Sequence, residues 1–237
     1  MSILLLGDIH GEFCALTNAL REARQHGITS VIQVGDFGYF AGKNDQALID
    51  SMSGYEDITV YFIDGNHDDC DLWNKFDCMH GPKACGPVEN LMFVPRGCVF
   101  EVDGRNIAFM GGAASIDKAF RIQYKWFWTE GENITKQQIA NFAANYAAEV
   151  EAGRKIDMFI THCPPNSIIQ KHFPAEDKLR FGVPIDWIDP NQMIIQNLWA
   201  GMNYPPIYSG HMHKSVRPFF SEDREYCILN IDEIIIV

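Results

Sequence analysis

The feature that most constrains the fold of this chain is a short apolar run that ends in a polar residue able to bind a metal. This pattern occurs five times, in the segments Leu4–His10, Val31–Asp36, Val60–Asp68, Phe159–His162 and Ile207–His213, and in most of them a glycine precedes the polar residue. Short apolar runs bounded by turn residues are typical of buried strands. Open α/β sheets bind their ligands at the carboxyl ends of such strands. A single segment of this kind would not be informative, whereas five of them predict one common site.

Strands alternate with helices in the first third of the chain. Apolar residues at helical spacing predict a helix over 12–26, and the strand Ser30–Val34 follows it. A short helix is predicted around Asp45–Met52, before the strand Ile58–Ile63. This βαβαβ order indicates a parallel sheet with helices on its faces.

The remainder is less regular but ends in another region rich in strands and helices. It contains a predicted hairpin, two predicted helices and further strands, at Val99–Val102 with Ile107–Met110, Thr135–Glu151, Ile156–Thr161, Gln192–Ala200 and the run before Gly210. The proline-rich segment Pro164–Pro190 is expected to be a long ordered loop. The last strands, expected to be antiparallel, are Val216–Phe220, Cys227–Asn230 and Glu233–Val237. The two strand-rich ends suggest two sheets layered between helices.

Length and composition bound the kind of protein. At 237 residues the chain is near the upper limit for one hydrophobic core, so a single domain over 1–237 is expected, with cap-like excursions around 70–98 and 112–134. The 31 acidic and 19 basic residues give a net charge of −12, and no block of Lys and Arg is present. An extended nucleic-acid surface is therefore not expected. Bound cations would still allow a small anionic substrate at a local site.

The amino terminus and the cysteines favour a cytoplasmic location. The first apolar run is too short for a signal peptide or a membrane span. Seven cysteines are present without a Cys-x-x-Cys pair, so reduced thiols are expected. His80 and His172 match none of the five segments and are expected to be surface residues.

The polar residues of the five segments supply carboxylate, amide and imidazole donors, and the candidate ligands are Asp8, His10, Asp36, Asn66, His162, His211 and His213. A mixed nitrogen and oxygen set suits manganese, the first choice here, or iron, zinc or cobalt. Seven donors exceed one tetrahedral ion. If Asp36 bridges, one ion takes Asp8, His10, Asp36 and His213, and the other takes Asp36, Asn66, His162 and His211. Two such ions clamp a phosphoryl group and generate hydroxide near neutral pH, which predicts hydrolysis.

These residues, in this order, resemble the calcineurin-like metallophosphoesterase superfamily. The series Asp-x-His, Gly-Asp, Gly-Asn-His-Asp, a strand-end His and Gly-His-x-His runs from Asp8 to His213. The resemblance implies an α/β fold, a four-layer αββα sandwich with two mixed sheets flanked by helices. It also implies a dinuclear metal centre with Asp36 as the bridging carboxylate, and hydrolysis of phosphomonoesters or phosphodiesters by a metal-bridging hydroxide. His67 falls on the imidazole that steadies or protonates the leaving group, and Asp68 is expected to hold His67 by a hydrogen bond.

Departures from the family pattern narrow the expected activity. The segment Gly35–Phe40 lacks the Asp-Arg-Gly of the protein serine/threonine phosphatase branch, so no arginine is available there to clamp a phosphate. Gly-Asn-His-Asp favours the phosphodiesterase-like branches, and Gly111–Lys118 resembles a stretch of uncharacterised bacterial and phage members. A phosphodiesterase is therefore predicted, with a phosphomonoesterase or nucleotide phosphatase as the alternative.

Other candidates keep two interpretations each. Lys118 and Arg121 could contact a phosphate or pair with Asp117 or Glu130, and Trp126 with its aromatic neighbours could stack a base or pack a cap against the body.

The expected partner is a small phosphoester. No membrane partner is expected, and the oligomeric state stays open. Alternatives from other classes are a non-catalytic scaffold of the same fold and a nuclease subunit. The first would be expected to lack ligands and the second to have a basic groove.

Overall fold

The computed structural model describes residues 1–221 and 224–237, and within them it contains two six-stranded sheets and seven α-helices. The side chains of His80, Asp177, Phe181 and residues 218–224 lie outside the described part. The expected surface position of His80 therefore stays a prediction. His172 is half-buried, and its Nε2 lies 2.8 Å from the hydroxyl of Tyr226.

The strands are short and are spread along the whole chain. They are β1 (Leu4–Leu6), β2 (Ser30–Gln33), β3 (Thr59–Phe62), β4 (Lys83–Ala84), β5 (Leu91–Phe93), β6 (Val99–Val102), β7 (Arg105–Met110), β8 (Met158–Thr161), β9 (Ile207–Ser209), β10 (Val216–Ser221), β11 (Arg224–Ile228) and β12 (Ile234–Ile236). The helices are α1 (Phe13–Gln25), α2 (Asp45–Met52), α3 (Cys70–Trp73), α4 (Lys118–Tyr124), α5 (Lys136–Glu151), α6 (Asn166–His172) and α7 (Pro190–Gly201). Among the described residues, none of these helices is both long and apolar enough to cross a membrane.

The two sheets share one plan. The first has the order β12-β1-β2-β3-β5-β4, and the second has the order β10-β11-β9-β8-β7-β6. In each sheet four parallel strands occupy the middle, and an antiparallel strand lies at either edge. Because parallel strands need crossover connections, helices cover the outer face of each sheet.

Alternate residues of one strand show how the layers pack. Leu4 and Leu6 of β1 belong to the apolar core beneath α1 and α2, whereas Leu5 belongs to the core between the sheets. A third core joins the second sheet to α5 and α7, around Phe159 and Trp199. Strands buried on both faces explain the continuous apolar runs of the sequence. The result is the predicted four-layer αββα sandwich.

Three segments differ from the expected secondary structure. Inside the stretch 70–98, β4 and β5 extend the first sheet, and strands this short carry little periodic signal. The proline-rich segment contains α6, which begins directly after Pro165, because proline suits the start of a helix. At the carboxyl end, β11 is antiparallel to β10 but parallel to β9.

Candidate metal centre

The carboxyl ends of five parallel strands meet at one edge of the sandwich. The loops after β1, β2 and β3 come from the first sheet, and those after β8 and β9 come from the second. Parallel strands place their carboxyl ends at the same edge. All seven candidate ligands follow these five strands, so the topology brings the motifs of the sequence into one region.

One group of candidate ligands is tightly clustered. The donor atoms of Asp8, His10, Asp36 and His213 all lie within 4.8 Å of one another. His10 Nε2 is 3.0 Å from His213 Nε2, and His213 Nε2 is 3.4 Å from Asp8 Oδ2. These four residues are the set predicted for the first ion.

The residues predicted for the second ion are also neighbours. His162 Nε2 lies 3.2 Å from Asn66 Oδ1 and 3.4 Å from Asp36 Oδ2. The rings of His162 and His211 are 5.0 Å apart between centroids. His162 Nδ1 donates to the carbonyl of Val34 over 3.0 Å, which fixes the tautomer and turns Nε2 toward the centre.

The buried carboxylate of Asp36 is surrounded by imidazoles but accepts few hydrogen bonds. Asp36 is completely buried, and its Oδ2 has no hydrogen-bond partner among the described residues, while Oδ1 accepts from the amide of His67. Burial opposes ionisation of Asp36, but nearby imidazoles, chiefly His162, hold the pKa of its carboxyl well below its usual range. Although burial disfavours a charged His162, the carboxylates of Asp36 and Asp8 raise its pKa to about 10. Divalent cations would pair this orphaned oxygen, so the residues present fit two such ions.

The backbone at this edge is strained. Nine non-glycine residues of the described part have positive φ, and four of them are candidate ligands: His10 at 48°, Asp36 at 55°, His211 at 70° and His213 at 49°. Left-handed conformations of such residues cost free energy and persist where surrounding structure enforces them. Their concentration here supports a functional origin.

Two glycines explain why glycine precedes ligands in the sequence. A Cβ on Gly35 would lie 2.6 Å from His162 Cγ, and φ at this residue is 101°. A Cβ on Gly65 would lie 2.6 Å from His162 Nε2 and 2.5 Å from the backbone nitrogen of Asp36. No side chain fits at either position while the ligands stay where they are.

The predicted hydrogen bond between Asp68 and His67 is wrong. Asp68 is completely buried, and its carboxylate accepts three backbone N–H bonds, from Phe37 at 3.2 Å, Gly38 at 2.6 Å and Gly65 at 2.8 Å. These amides are closer to its oxygens than the imidazole because Asp68 turns back into the loop after β2. Burial and the charge of Asp36 raise the pKa of Asp68 to about 7, against the opposing effect of the amides. Asp68 therefore joins the loops that carry Asp36 and Asn66.

Arg121, and not Asp68, is the partner of His67. Its Nη2 lies 3.0 Å from Nδ1 of His67 and also contacts Nε2, and its Nη1 donates to the carbonyl of Asn66 over 3.0 Å. The Nε of Arg121 pairs with Asp117 at 2.8 Å. Burial and the Arg121 charge lower the pKa of His67 to about 4, although Asp36 and Asp117 act in the opposite direction.

The sequence did not predict a series of hydrogen bonds that orients the Asn66 amide. Asn66 Nδ2 donates to Ser115 Oγ over 3.1 Å, and Ser115 donates to the buried carboxylate of Glu132 through both its hydroxyl and its amide, over 2.5 and 2.9 Å. With its nitrogen held by Ser115, Asn66 presents Oδ1 to the centre. The only signal was the motif Gly111–Lys118, which contains Ser115. Behind it, the buried Arg96 binds Asp64 and the carbonyl of Glu132.

A cavity of about 380 Å³ adjoins the candidate ligands. One wall includes Asp36, Asn66 and His67, and the other is built from the segment around α6 and the start of α7. The three candidate substrate contacts do not line it. Lys118 pairs with Glu130 at 3.6 Å and covers the Trp128 ring, Arg121 lies behind His67, and Trp126 is exposed beside Tyr124.

Comparison with known proteins gives a family and a fold. A model of the calcineurin-like phosphoesterase family matches residues 1–215. The structure of TT1561 from Thermus thermophilus is 11% identical, with a TM-score of 0.57 over 100% of this chain and 97% of that chain. A dimetal phosphatase from Danio rerio is 12% identical, with a TM-score of 0.55 over 98% of this chain and 88% of that chain. No curated protein sequence matches this chain. At these identities the structural likeness concerns the fold alone.

Proposed function

The chain belongs to the calcineurin-like phosphoesterase family, and from this premise we propose that it is a dinuclear metal-dependent phosphodiesterase acting on small substrates. Membership confirms the predicted resemblance and the enzyme class, a metal-dependent phosphoric ester hydrolase. The observation that supports a metal centre most directly is the buried Oδ2 of Asp36, which accepts no hydrogen bond from a described residue and lies among converging imidazoles.

Asp36 lies between the two groups of ligands, so its carboxylate would contact both ions. Asp8, His10 and His213 would complete one site, and Asn66, His162 and His211 the other. When bound, two divalent ions act as Lewis acids that activate water near neutral pH and offset charge on the transferring phosphoryl group. The mixed nitrogen and oxygen set makes manganese our first choice.

The charge of the cavity favours a diester over a monoester. Lys178 is the one Lys or Arg among the described residues that line it, and its ammonium donates to the carbonyls of Ile185 and Trp187 over 2.9 and 2.6 Å. Arg121 is already paired with Asp117. A phosphomonoester dianion carries one more negative charge than a diester, and among the described lining residues only Lys178, whose ammonium is held by these two carbonyls, offers a positive side chain.

We propose that His67 assists the leaving group. It lines the cavity, lies outside both proposed ligand sets, and is held by Arg121. A ring fixed in this way can hydrogen-bond the departing oxygen as the ester bond breaks, which matters most when that oxygen is strongly basic.

The proposal is tested with the manganese-loaded enzyme on bis-p-nitrophenyl phosphate and p-nitrophenyl phosphate. We expect the diester to have the higher kcat/KM and both activities to be lost after chelation or in Asp36→Asn. Faster hydrolysis of the monoester would establish the alternative, a phosphomonoesterase. Activity that survives both chelation and Asp36→Asn would refute the metal mechanism.

A further inference from the structure

The wall of the cavity opposite the metal centre is apolar and aromatic. Ile169, Phe173 and Met212 line it together with Trp187 and Pro174. Ligand pockets of this size are commonly apolar with a few polar groups that fix orientation. None of these five side chains belongs to the proposed ligand sets, so the surface that they form is available to another part of the substrate.

One polar side chain of this wall is left without a partner. Gln192 is 8% exposed, its side chain lines the cavity, and its amide makes no hydrogen bond with any residue that the structure describes. This amide is therefore available to a molecule that occupies the cavity. Its oxygen and nitrogen offer an acceptor beside a donor, which is the arrangement that pairs with the edge of a nucleobase.

The wall is preformed. Asp189 is buried, and its carboxylate accepts from the amide of Ala114 at 2.9 Å and from the amide of Asn191 at 2.7 Å, which fixes the start of α7 and hence Gln192. Lys178 donates to the carbonyl of Trp187 and so fixes the turn that carries the indole. A site that is ordered before binding loses less entropy when it takes up its ligand.

From the unpartnered Gln192 amide beside Trp187 and Phe173, we propose that this cavity is a nucleoside subsite and that the substrate is a small nucleotide phosphodiester. The base stacks against the aromatic wall while the Gln192 amide pairs with its edge. The phosphodiester then reaches the wall formed by Asp36, Asn66 and His67. This inference rests on the proposed function, because it names the substrate of that same site.

Two other occupants fit less well. An alkyl or acyl chain would cover the apolar wall but leave the Gln192 amide buried and unpaired. A long nucleic acid needs many cationic contacts along its backbone, whereas the chain carries a net charge of −12. A cyclic mononucleotide or a short oligonucleotide would pair with the Gln192 amide and needs few cationic contacts.

The experiment compares two cyclic diesters with hydrolysis followed by phosphorus NMR: adenosine 2′,3′-cyclic phosphate, which carries a nucleoside, and glycerol 1,2-cyclic phosphate, which carries neither sugar ring nor base. The manganese-loaded enzyme should prefer the adenosine compound by about tenfold or more in kcat/KM. Trp187→Ala and Gln192→Leu should each bring that ratio toward one. Met193→Ala is the matched control, because Met193 is exposed on the same helix and does not line the cavity.

A second readout separates the subsite from the chemistry. Binding of adenosine alone to the manganese-loaded protein, measured by saturation-transfer NMR, should weaken in Gln192→Leu and Trp187→Ala but not in Met193→Ala. Adenosine binding with these losses, but without hydrolysis of either diester, would support the subsite and refute the proposed function. Equal hydrolysis of the two diesters, with no adenosine binding, would refute the subsite and leave the function in place.

Discussion

Replacing Asp68 by asparagine tests what this residue does. Its carboxylate accepts three buried backbone N–H bonds, from Phe37, Gly38 and Gly65. An amide side chain keeps one acceptor oxygen and turns a donor toward the same N–H groups, so at least one of them loses its partner. An unsatisfied buried donor costs about 1–3 kcal/mol. Because the pKa of Asp68 is raised to about 7, its carboxyl is only partly ionised at neutral pH and adds no full charge to these bonds. We therefore expect Asp68→Asn to lower the free energy of unfolding by about 1–3 kcal/mol.

The assay is urea unfolding of the metal-free protein at pH 7, with Asp50→Asn as the control. Asp50 is exposed, and among the described residues its side chain accepts only from Gln46, so its replacement should change stability by less than about 0.5 kcal/mol. The metal-free form is used because metal binding would add its own stabilisation.

Kinetics with a series of aryl phosphodiesters complete the test. Since Asp68 does not contact His67, Asp68→Asn should reduce activity by a similar factor for good and poor leaving groups. His67→Ala should reduce it more for poor ones. If Asp68→Asn left stability unchanged and reproduced the leaving-group dependence of His67→Ala, Asp68 would act through His67 and not through the backbone amides.

Further predictions concern the network around Asn66 and its neighbours. Asp64→Asn leaves the buried Arg96 without its carboxylate and should destabilise the protein by about 3–5 kcal/mol in urea unfolding, whereas a loss below about 1 kcal/mol would show that the pair is not structural. Ser115→Ala should weaken manganese binding about 10–100-fold in calorimetric titration, because Asn66 loses the bond that orients its amide, and an unchanged affinity would contradict this. His67→Ala should slow esters of weakly acidic phenols more than esters of p-nitrophenol, and equal losses would remove its role at the leaving group.

The sequence predicted the architecture and the set of candidate ligands because both follow from local patterns. Strands buried on two faces must be continuously apolar, and candidate ligands such as His162 pack so closely against the backbone that glycine is required at Gly35 and Gly65. The repeated run of apolar residues, glycine and donor is therefore a physical requirement of this edge of the sandwich.

The partner of Asp68 was beyond such reasoning. Its carboxylate accepts hydrogen bonds from the amides of Phe37 and Gly38, which lie about 30 residues earlier in the chain. The motif Gly-Asn-His-Asp does not show whether its aspartate binds the neighbouring histidine or backbone amides. The residues of the cavity wall could not be predicted from the sequence for a similar reason. Trp187 and Gln192 belong to no motif, and only the folding of the proline-rich segment brings them opposite the metal centre.

Anomalous scattering from crystals of the manganese-loaded protein would locate the metal ions. We expect two manganese peaks at the edge where the five strands end, both beside the carboxylate of Asp36, and the loss of at least one of them in Asp36→Asn. A single peak, or two peaks of which neither lies beside Asp36, would contradict this prediction.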